Sequence, residues 1–195
     1  MKLGRDFFAR PTLEVARDLL GRRLVRHLDG ERLSGLIVET EAYVGEADTA
    51  CHASRGCTPR TQVMYGPPGH FYVYLIYGMY YMLNLVTAAP GQPEAVLVRA
   101  LWPEEGIDRM LALRGGQASR RRLTDGPGKL CQALAIDRGF NGLSVEGGEL
   151  WLEEGRPMPD AAVRTGPRVG IDYANEDDRR RPWRFWVDGA SISRE

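Results

Sequence analysis

Lysine is nearly missing from this 195-residue chain: Lys2 and Lys129 stand alone among 26 basic residues, the rest being arginine. A surplus of either sign is missing too, because 26 acidic residues bring the formal net charge to zero. Attraction of a polyanion by bulk charge is thereby excluded, and such a partner requires a local patch. The arginine bias favours bidentate phosphate contacts and stacking over simple charge, and equally fits a skewed genome composition. Cysteine is scarce and odd in number, at Cys51, Cys57 and Cys131. No disulfide framework follows, no signal segment is read at the N-terminus, and reduced thiols in a cytosol are expected. A zinc centre on Cys51, His52 and Cys57 lacks the second Cys/His pair that a four-ligand site needs. No apolar run is long enough for a bilayer: the uncharged stretch 71–93 is broken by Gly78, Asn84, Pro90, Gly91, Gln92 and Pro93. Repeats, linkers and low-complexity tracts are also lacking, so residues 1–195 read as one soluble domain with ordinary apolar (43%) and charged (27%) fractions.

What is present in excess is tyrosine, and in one place. Between Phe71 and Tyr81 the chain reads FYVYLIYGMYY, which holds five of its eight tyrosines. A tyrosine offers a flat apolar face and a hydroxyl that needs a partner when buried. Such density makes either a dense core or a platform for planar rings.

The flanking pattern predicts α+β architecture: a single compact domain with a curved, largely antiparallel sheet, flanking helices and a protruding hairpin. Thr12 reads as the cap of a short amphipathic helix through Leu20, ended by Gly21. RRLVRHL and ERLSGLIVETEAY flank Asp29-Gly30, a strong signal for a two-residue hairpin turn. Residues 46–55 read as a helix stopped at Gly56, and 58–69 as a turn-rich loop. The aromatic run alternates as a strand, reverses at Tyr77-Gly78 and alternates again through Asn84. The three-residue spacing of Tyr74, Tyr77 and Tyr80 also fits a helix face, but β-branched and aromatic content favours strand. EAVLVRAL, 94–101, is a further strand carrying Arg99, with Pro103 and a helix from Ile107 to Leu113 after it. Asp125 to Lys129 opens a helix whose first turn would suit an anion, without being a Walker sequence. GELWLEE and PWRFWVDG are later β-prone pieces.

Several side chains stand out chemically. Glu39 and Glu41, two apart on a strand, share a face at roughly 6 to 7 Å, with Ile37 and Tyr43 alongside. A solvated acidic edge is the bland interpretation; a general base in a semi-apolar cleft is the functional one. His52 lies eleven residues beyond Glu41, whereas His27 and His70 have no distinctive setting. Asn84 sits among Met82, Leu83, Leu85 and Val86, where an unbonded amide is costly. Tyr77 at a hairpin tip has no folding rationale, and a wedge between stacked bases would use it.

These residues fall in blocks. VETEAY (38–43), ACH (50–52), MYGPPG (64–69), YVYLIYGMYYMLN (72–84), VRAL (98–101) and GPGKLCQALAI (126–136) together resemble the alkyladenine, or 3-methyladenine (methylpurine), DNA glycosylase family, in order along nearly the whole chain. The resemblance implies a monofunctional glycosylase of base excision repair. Such an enzyme flips alkylated or deaminated purines from duplex DNA and hydrolyses the N-glycosidic bond without metal or cofactor. 3-Methyladenine and 7-methylguanine are its implied substrates, with hypoxanthine and ethenoadenine as further candidates. On the family pattern Glu41 activates the water and Arg99 helps place it. Tyr43, His52 and Tyr74 enclose the flipped base, Asn84 guards against the amino group of guanine, and Tyr77 fills the vacated stack. The implied partner is damaged double-stranded DNA, met by a monomer in the bacterial cytosol, with no membrane. The arginine runs 120–122 and 179–181 receive no role in DNA contact from the sequence. A non-catalytic single-strand binding module is the alternative, although the run lacks the glycine-rich basic pattern of a recognition-motif strand. A glycoside hydrolase is a further one, although two carboxylates on one strand offer no opposing faces for a sugar.

Overall fold

A 14-residue strand, Glu31–Val44, is the axis on which the molecule is built. The computed structural model describes residues 1–116 and 118–188, and the backbone but not the side chain of Arg121. In chain order the elements are α1 (Arg5–Phe8), α2 (Thr12–Asp18), β1 (Arg23–Leu28), β2 (Glu31–Val44), β3 (Phe71–Ile76), β4 (Tyr80–Val86), β5 (Glu94–Glu105), α3 (Ile107–Leu113), α4 (Pro127–Ala133), β6 (Leu150–Glu153), β7 (Val163–Gly166), α5 (Glu176–Arg180) and β8 (Arg184–Val187). The strands form one sheet of order β3-β4-β5-β2-β1-β6, with β8 joined to β2 and β7. Every pairing among the described residues is antiparallel, and the architecture is α+β.

Two hairpins follow from local chemistry. Asp29 and Gly30 both take positive φ (51° and 83°) between paired Leu28 and Glu31, the two-residue turn that matches strand twist. β3 and β4 alternate as the sequence predicts and reverse through Tyr77, Gly78 and Met79. Tyr77 is left-handed at φ 53°, which costs a side-chain-bearing residue about 1 to 2 kcal/mol. Underneath, α4 approaches the hairpin closely: a Cβ on Gly128 would lie 2.8 Å from the Tyr80 ring.

β2 owes its position to three neighbours. β5 runs along one edge for its whole length, while β1 and then β8 share the other. Its end is therefore covered on both sides, with Glu41 between Leu97 of β5 and Arg184 of β8. The main core packs Phe8, Leu19, Leu24, Phe71, Leu83, Met110, Leu130 and Leu150. α2 is fixed to β2 by the Thr40 hydroxyl, which donates to the Ala16 carbonyl at 2.7 Å.

Several sequence expectations are corrected. Thr12 makes no capping bond; its buried hydroxyl meets Thr87 at 2.6 Å and Glu94 at 2.5 Å, so tertiary partners outcompete the cap. Residues 46–55 are not a helix, and only His52–Arg55 make a 3-10 turn. Asp48 draws the Val44 and Ala50 N–H groups to its carboxylate, which favours turns over a helix. β5 continues past Pro103 to Glu105; the proline sits where the register against β2 slips, so no ladder donor is lost. Ile37 belongs to the main core, with register shifts on either side of Glu39 breaking simple alternation. α1 and β7 are too short to signal themselves. Gly189, the last residue of PWRFWVDG, lies outside the described residues.

Candidate active site

Glu41 is fully buried, and each carboxylate oxygen has a partner. Oε1 accepts the Val169 N–H at 2.7 Å and faces Arg99 Nη1 at 3.3 Å; Oε2 accepts the Tyr43 hydroxyl at 2.8 Å. Burial pushes the acid above its ordinary value, against the opposing pull of Arg99, the Val169 amide and Tyr43. The Tyr43 phenol is itself held far up by burial first and by Glu41 second, so it donates as a neutral group. Glu39 does share the Arg99 side of the strand: Arg99 Nε donates to Glu39 Oε1 at 2.9 Å, and Arg184 Nη1 does so at 3.2 Å. The result is a row of alternating charge, Glu41, Arg99, Glu39 and Arg184, in which Arg99 is 14% exposed.

Next to the acid lies an aromatic cleft. Tyr72 and Tyr74, two residues apart on β3 and so on one face, have ring centroids 5.2 Å from each other, and the His52 ring meets Tyr74 edge-on at 4.6 Å. His52 Nδ1 is 3.0 Å from the Tyr72 hydroxyl. Burial, then Arg60 and Arg55, lower the His52 pKa to about 4, while burial raises the Tyr72 phenol to about 12. Both are neutral near pH 7, one proton serving the contact. Asn84, buried in β4, donates through Nδ2 to the Tyr72 carbonyl at 2.9 Å and to the Met82 carbonyl at 3.3 Å. Its amide is satisfied and fixed, with the side-chain oxygen as its remaining polar atom.

The space has two parts. An inner chamber of about 30 Å³ is lined by Asn84, Tyr72, Met64, Ala50 and Ala95, among others. It opens into a cleft of about 700 Å³, and Tyr43, Cys51, His52, Tyr74 and Tyr173 line both. The cleft reaches Tyr77 at the hairpin tip, and Arg55, Arg60 and Arg99 border it, with no acidic residue among the described residues that line it. Arg55 and Arg60 thus give the cleft a basic rim on a chain of zero net charge, Arg99 being paired with Glu39 and Glu41. Glu41 itself exposes no surface, and its three partners, Tyr43, Arg99 and Val169, form part of the cleft wall.

The structure thus gathers Glu41, Tyr43, His52, Tyr74, Asn84 and Arg99 around one cleft, with Tyr77 at its rim, 83% exposed. It also adds residues that sequence reasoning missed. Arg168 is buried in a two-pronged pair with Asp48 at 2.5 and 2.8 Å, and its guanidinium lies between the Tyr43 and Trp183 rings at 4.8 and 5.0 Å. The same side chain donates to the Ala42 carbonyl at 2.9 Å, fixing the strand beside Glu41. Tyr72, Arg60, Val169 and Tyr173 were missed as well. A buried arginine demands an anion, but nothing local in the sequence says which one.

Three of the six arginines in the runs 120–122 and 179–181 turn to the protein. Arg120 donates to the Pro103 carbonyl at 3.1 Å, Arg180 pairs with Glu176, and Arg181 pairs with Asp178 at 2.9 Å. Among the described residues, no cluster of three or more His, Cys, Asp or Glu side chains suits a metal ion, and no helix is long and apolar enough to cross a membrane.

Known proteins give the arrangement its context. A family model described as methylpurine-DNA glycosylase (MPG) matches residues 6–191. A protein of Methanocella arvoryzae is 55% identical over 185 residues, covering 94% of this chain and 91% of that one. One from Myxococcus xanthus is 49% identical over 193 residues, covering 98% and 93%. One from Alkaliphilus oremlandii is 46% identical over 204 residues, covering both chains in full. Each of the three carries the name "Putative 3-methyladenine DNA glycosylase".

Proposed function

The chain belongs to the methylpurine-DNA glycosylase family and is a DNA glycosylase, and from that premise we propose that it rotates a damaged purine out of duplex DNA into the cleft beside Glu41. The observation that carries this reading is the buried Glu41 carboxylate, whose partners Tyr43, Arg99 and Val169 are themselves the wall of an aromatic cleft.

The chemistry runs as follows. The flipped base is enclosed by Tyr43, His52 and Tyr74, recovering about 1 to 3 kcal/mol per stacked contact against the cost of unstacking. As it enters, a water docks at Glu41 Oε2 beside the Tyr43 phenol, which keeps its own bond to that oxygen. The bond from the sugar C1′ to the base nitrogen breaks with its electrons leaving on the base, and the sugar becomes oxocarbenium-like. Glu41, as an anion, opposes that positive charge and takes a proton as the water oxygen bonds to C1′. Arg99, tied to Glu39, holds the carboxylate and orients the water. A base methylated at N3 or N7 leaves as a neutral molecule; a neutral lesion such as hypoxanthine needs a proton from solvent or a donor. Tyr77 occupies the gap left in the stack, and Asn84, clamped by two main-chain carbonyls, limits the room left for the guanine amino group. A merely binding, single-strand module would leave a buried acid with a raised pKa without use.

The test is incubation of wild type and Glu41→Gln with duplex oligonucleotides bearing 3-methyladenine analogues, 7-methylguanine, hypoxanthine or ethenoadenine, scored for abasic sites. The variant is expected to keep lesion affinity and lose excision by a factor on the order of 10³. Near-normal release by the variant removes Glu41 from its role. For Asn84→Ala, faster release of unmodified guanine is expected, and flat guanine release rejects the guard.

A further inference from the structure

The inner chamber at Asn84 has space for one or two waters and none for a bicyclic base, since its volume is about 30 Å³. Its neck is the set of residues that also line the cleft: Tyr43, Cys51, His52, Tyr74 and Tyr173. A base that reaches the deep end must move one of them.

Four of the five are pinned. Tyr43 is bonded through its hydroxyl to Glu41 and backed by the Arg168 guanidinium. Cys51 is 2% exposed, and its amide N–H donates to the Asp48 carbonyl at 2.9 Å. His52 is bonded to Tyr72 and braced on Tyr74, which rests on Tyr72 in turn. Tyr173 differs in the exposure of its ring, while its neighbours Ile171 and Ala174 are buried against Ala50 and hold the backbone on either side. It is 66% exposed, sits in the irregular segment between β7 and α5, and follows Gly170, which is left-handed at φ 73° with open space at its Cβ position. Its side-chain tether is one hydrogen bond, from its hydroxyl to the Ala50 carbonyl at 2.8 Å, across 123 residues of chain.

We propose that Tyr173 is the movable wall of the base pocket and sets the size of base admitted, opening when its tether to Ala50 breaks. This rests on the glycosylase reading above and names what that site selects. A bulky tricyclic base such as ethenoadenine must displace the phenol outright, whereas hypoxanthine, with an unsubstituted purine outline, needs less. Tyr173 is a specificity residue, outside the hydrolytic step itself.

The separating experiment compares wild type, Tyr173→Phe and Tyr173→Ala on two duplexes differing only in carrying ethenoadenine or hypoxanthine. Two quantities are read: single-turnover base release, and the change in ethenoadenine fluorescence on mixing, which reports entry of the base among the aromatic rings whether or not hydrolysis follows. Tyr173→Phe keeps the ring and loses only the tether. It is expected to speed ethenoadenine entry and release about two- to tenfold, the scale of one neutral hydrogen bond, with hypoxanthine changed by less than about twofold. Tyr173→Ala should shift the ratio at least as far. A ratio within about twofold of wild type in both variants, together with unchanged fluorescence kinetics, overturns the proposal. A wild-type protein that releases neither base, nor 3-methyladenine or 7-methylguanine from the same duplex, sinks the glycosylase reading instead, while the fluorescence comparison still judges the neck.

Discussion

The end of β2 and the tip of the β3–β4 hairpin border the same cleft and are built in opposite ways. At the end of β2 the charged groups are tied to one another: Glu41 has three partners, Arg99 bridges two carboxylates, and Arg168 is enclosed between two rings with Asp48 across from it, its Nε alone in this group lacking a partner among the described residues. At the tip, Tyr77 and Met79 are 83% and 66% exposed, and Tyr77 holds a strained backbone angle. The first region meets its ordering cost during folding, and a reacting group there needs no reorganisation at the moment of chemistry. The second gains nothing from folding, and its apolar surface is recovered only when something covers it. On the proposed reading, chemistry in this molecule is preorganised and recognition is held in reserve.

The contrast breaks most visibly at Arg168. Arg168→Met leaves Asp48 buried without its counter-charge, an uncompensated ion that costs about 3 to 5 kcal/mol. Chemical denaturation should show that loss. A loss under about 1 kcal/mol would mean that the pair is dispensable and that the region is looser than its bonds suggest. At the other pole, Tyr77→Ala should leave unfolding nearly untouched while weakening binding to lesion-bearing duplex by about 1 to 3 kcal/mol, with smaller effects on single strands. Duplex affinity equal to wild type would deny the tip its part.

The finest probe is pH. Glu41 has a folded pKa above its unfolded value of 4.5, so the protonated acid is the form the fold prefers. Stability from this group is complete below pH 4.5 and declines as pH rises through the folded pKa. Glu41→Gln, which imitates the neutral acid, should therefore resist denaturant better than wild type near pH 7, with the gap closing toward pH 4.5. Excision has the opposite slope, because the anion is the working form: its acid limb should lie above the ordinary carboxylate range. An equal unfolding midpoint for the two proteins at pH 7 would show that burial imposes no penalty on the charged acid.

The half of the site that was legible in the sequence is the half carried by consecutive strand residues. Alternation located Glu41 and Tyr43 on β2 and the tyrosines on β3, and Asp29-Gly30 announced its own turn, because each signal lies within a few residues of its effect. The blocks ACH and YVYLIYGMYYMLN brought in His52 and Asn84 by family resemblance, where composition left both ambiguous. Val169, Arg168 and Tyr173 escaped because the segment after β7 has no regular structure, and its ties to Glu41, Asp48 and Ala50 span 128, 120 and 123 residues. Thr12 and residues 46–55 were misread for the same reason: side-chain bonds to distant or backbone groups overrode local helix preference.

The Asp48–Arg168 pair has a consequence for the order in which the protein comes into being. Synthesis proceeds from the N-terminus, so the strand bearing Glu41 and the ring-rich hairpin leave the ribosome long before position 168 is translated. Until then Asp48 lacks its cation, β2 lacks β8 along the edge at Glu41, and the amide that grips Oε1 does not exist. A nascent chain can collapse around its early core yet has no finished acid site until Arg168, Val169 and β8 have followed, so competence trails the formation of the core.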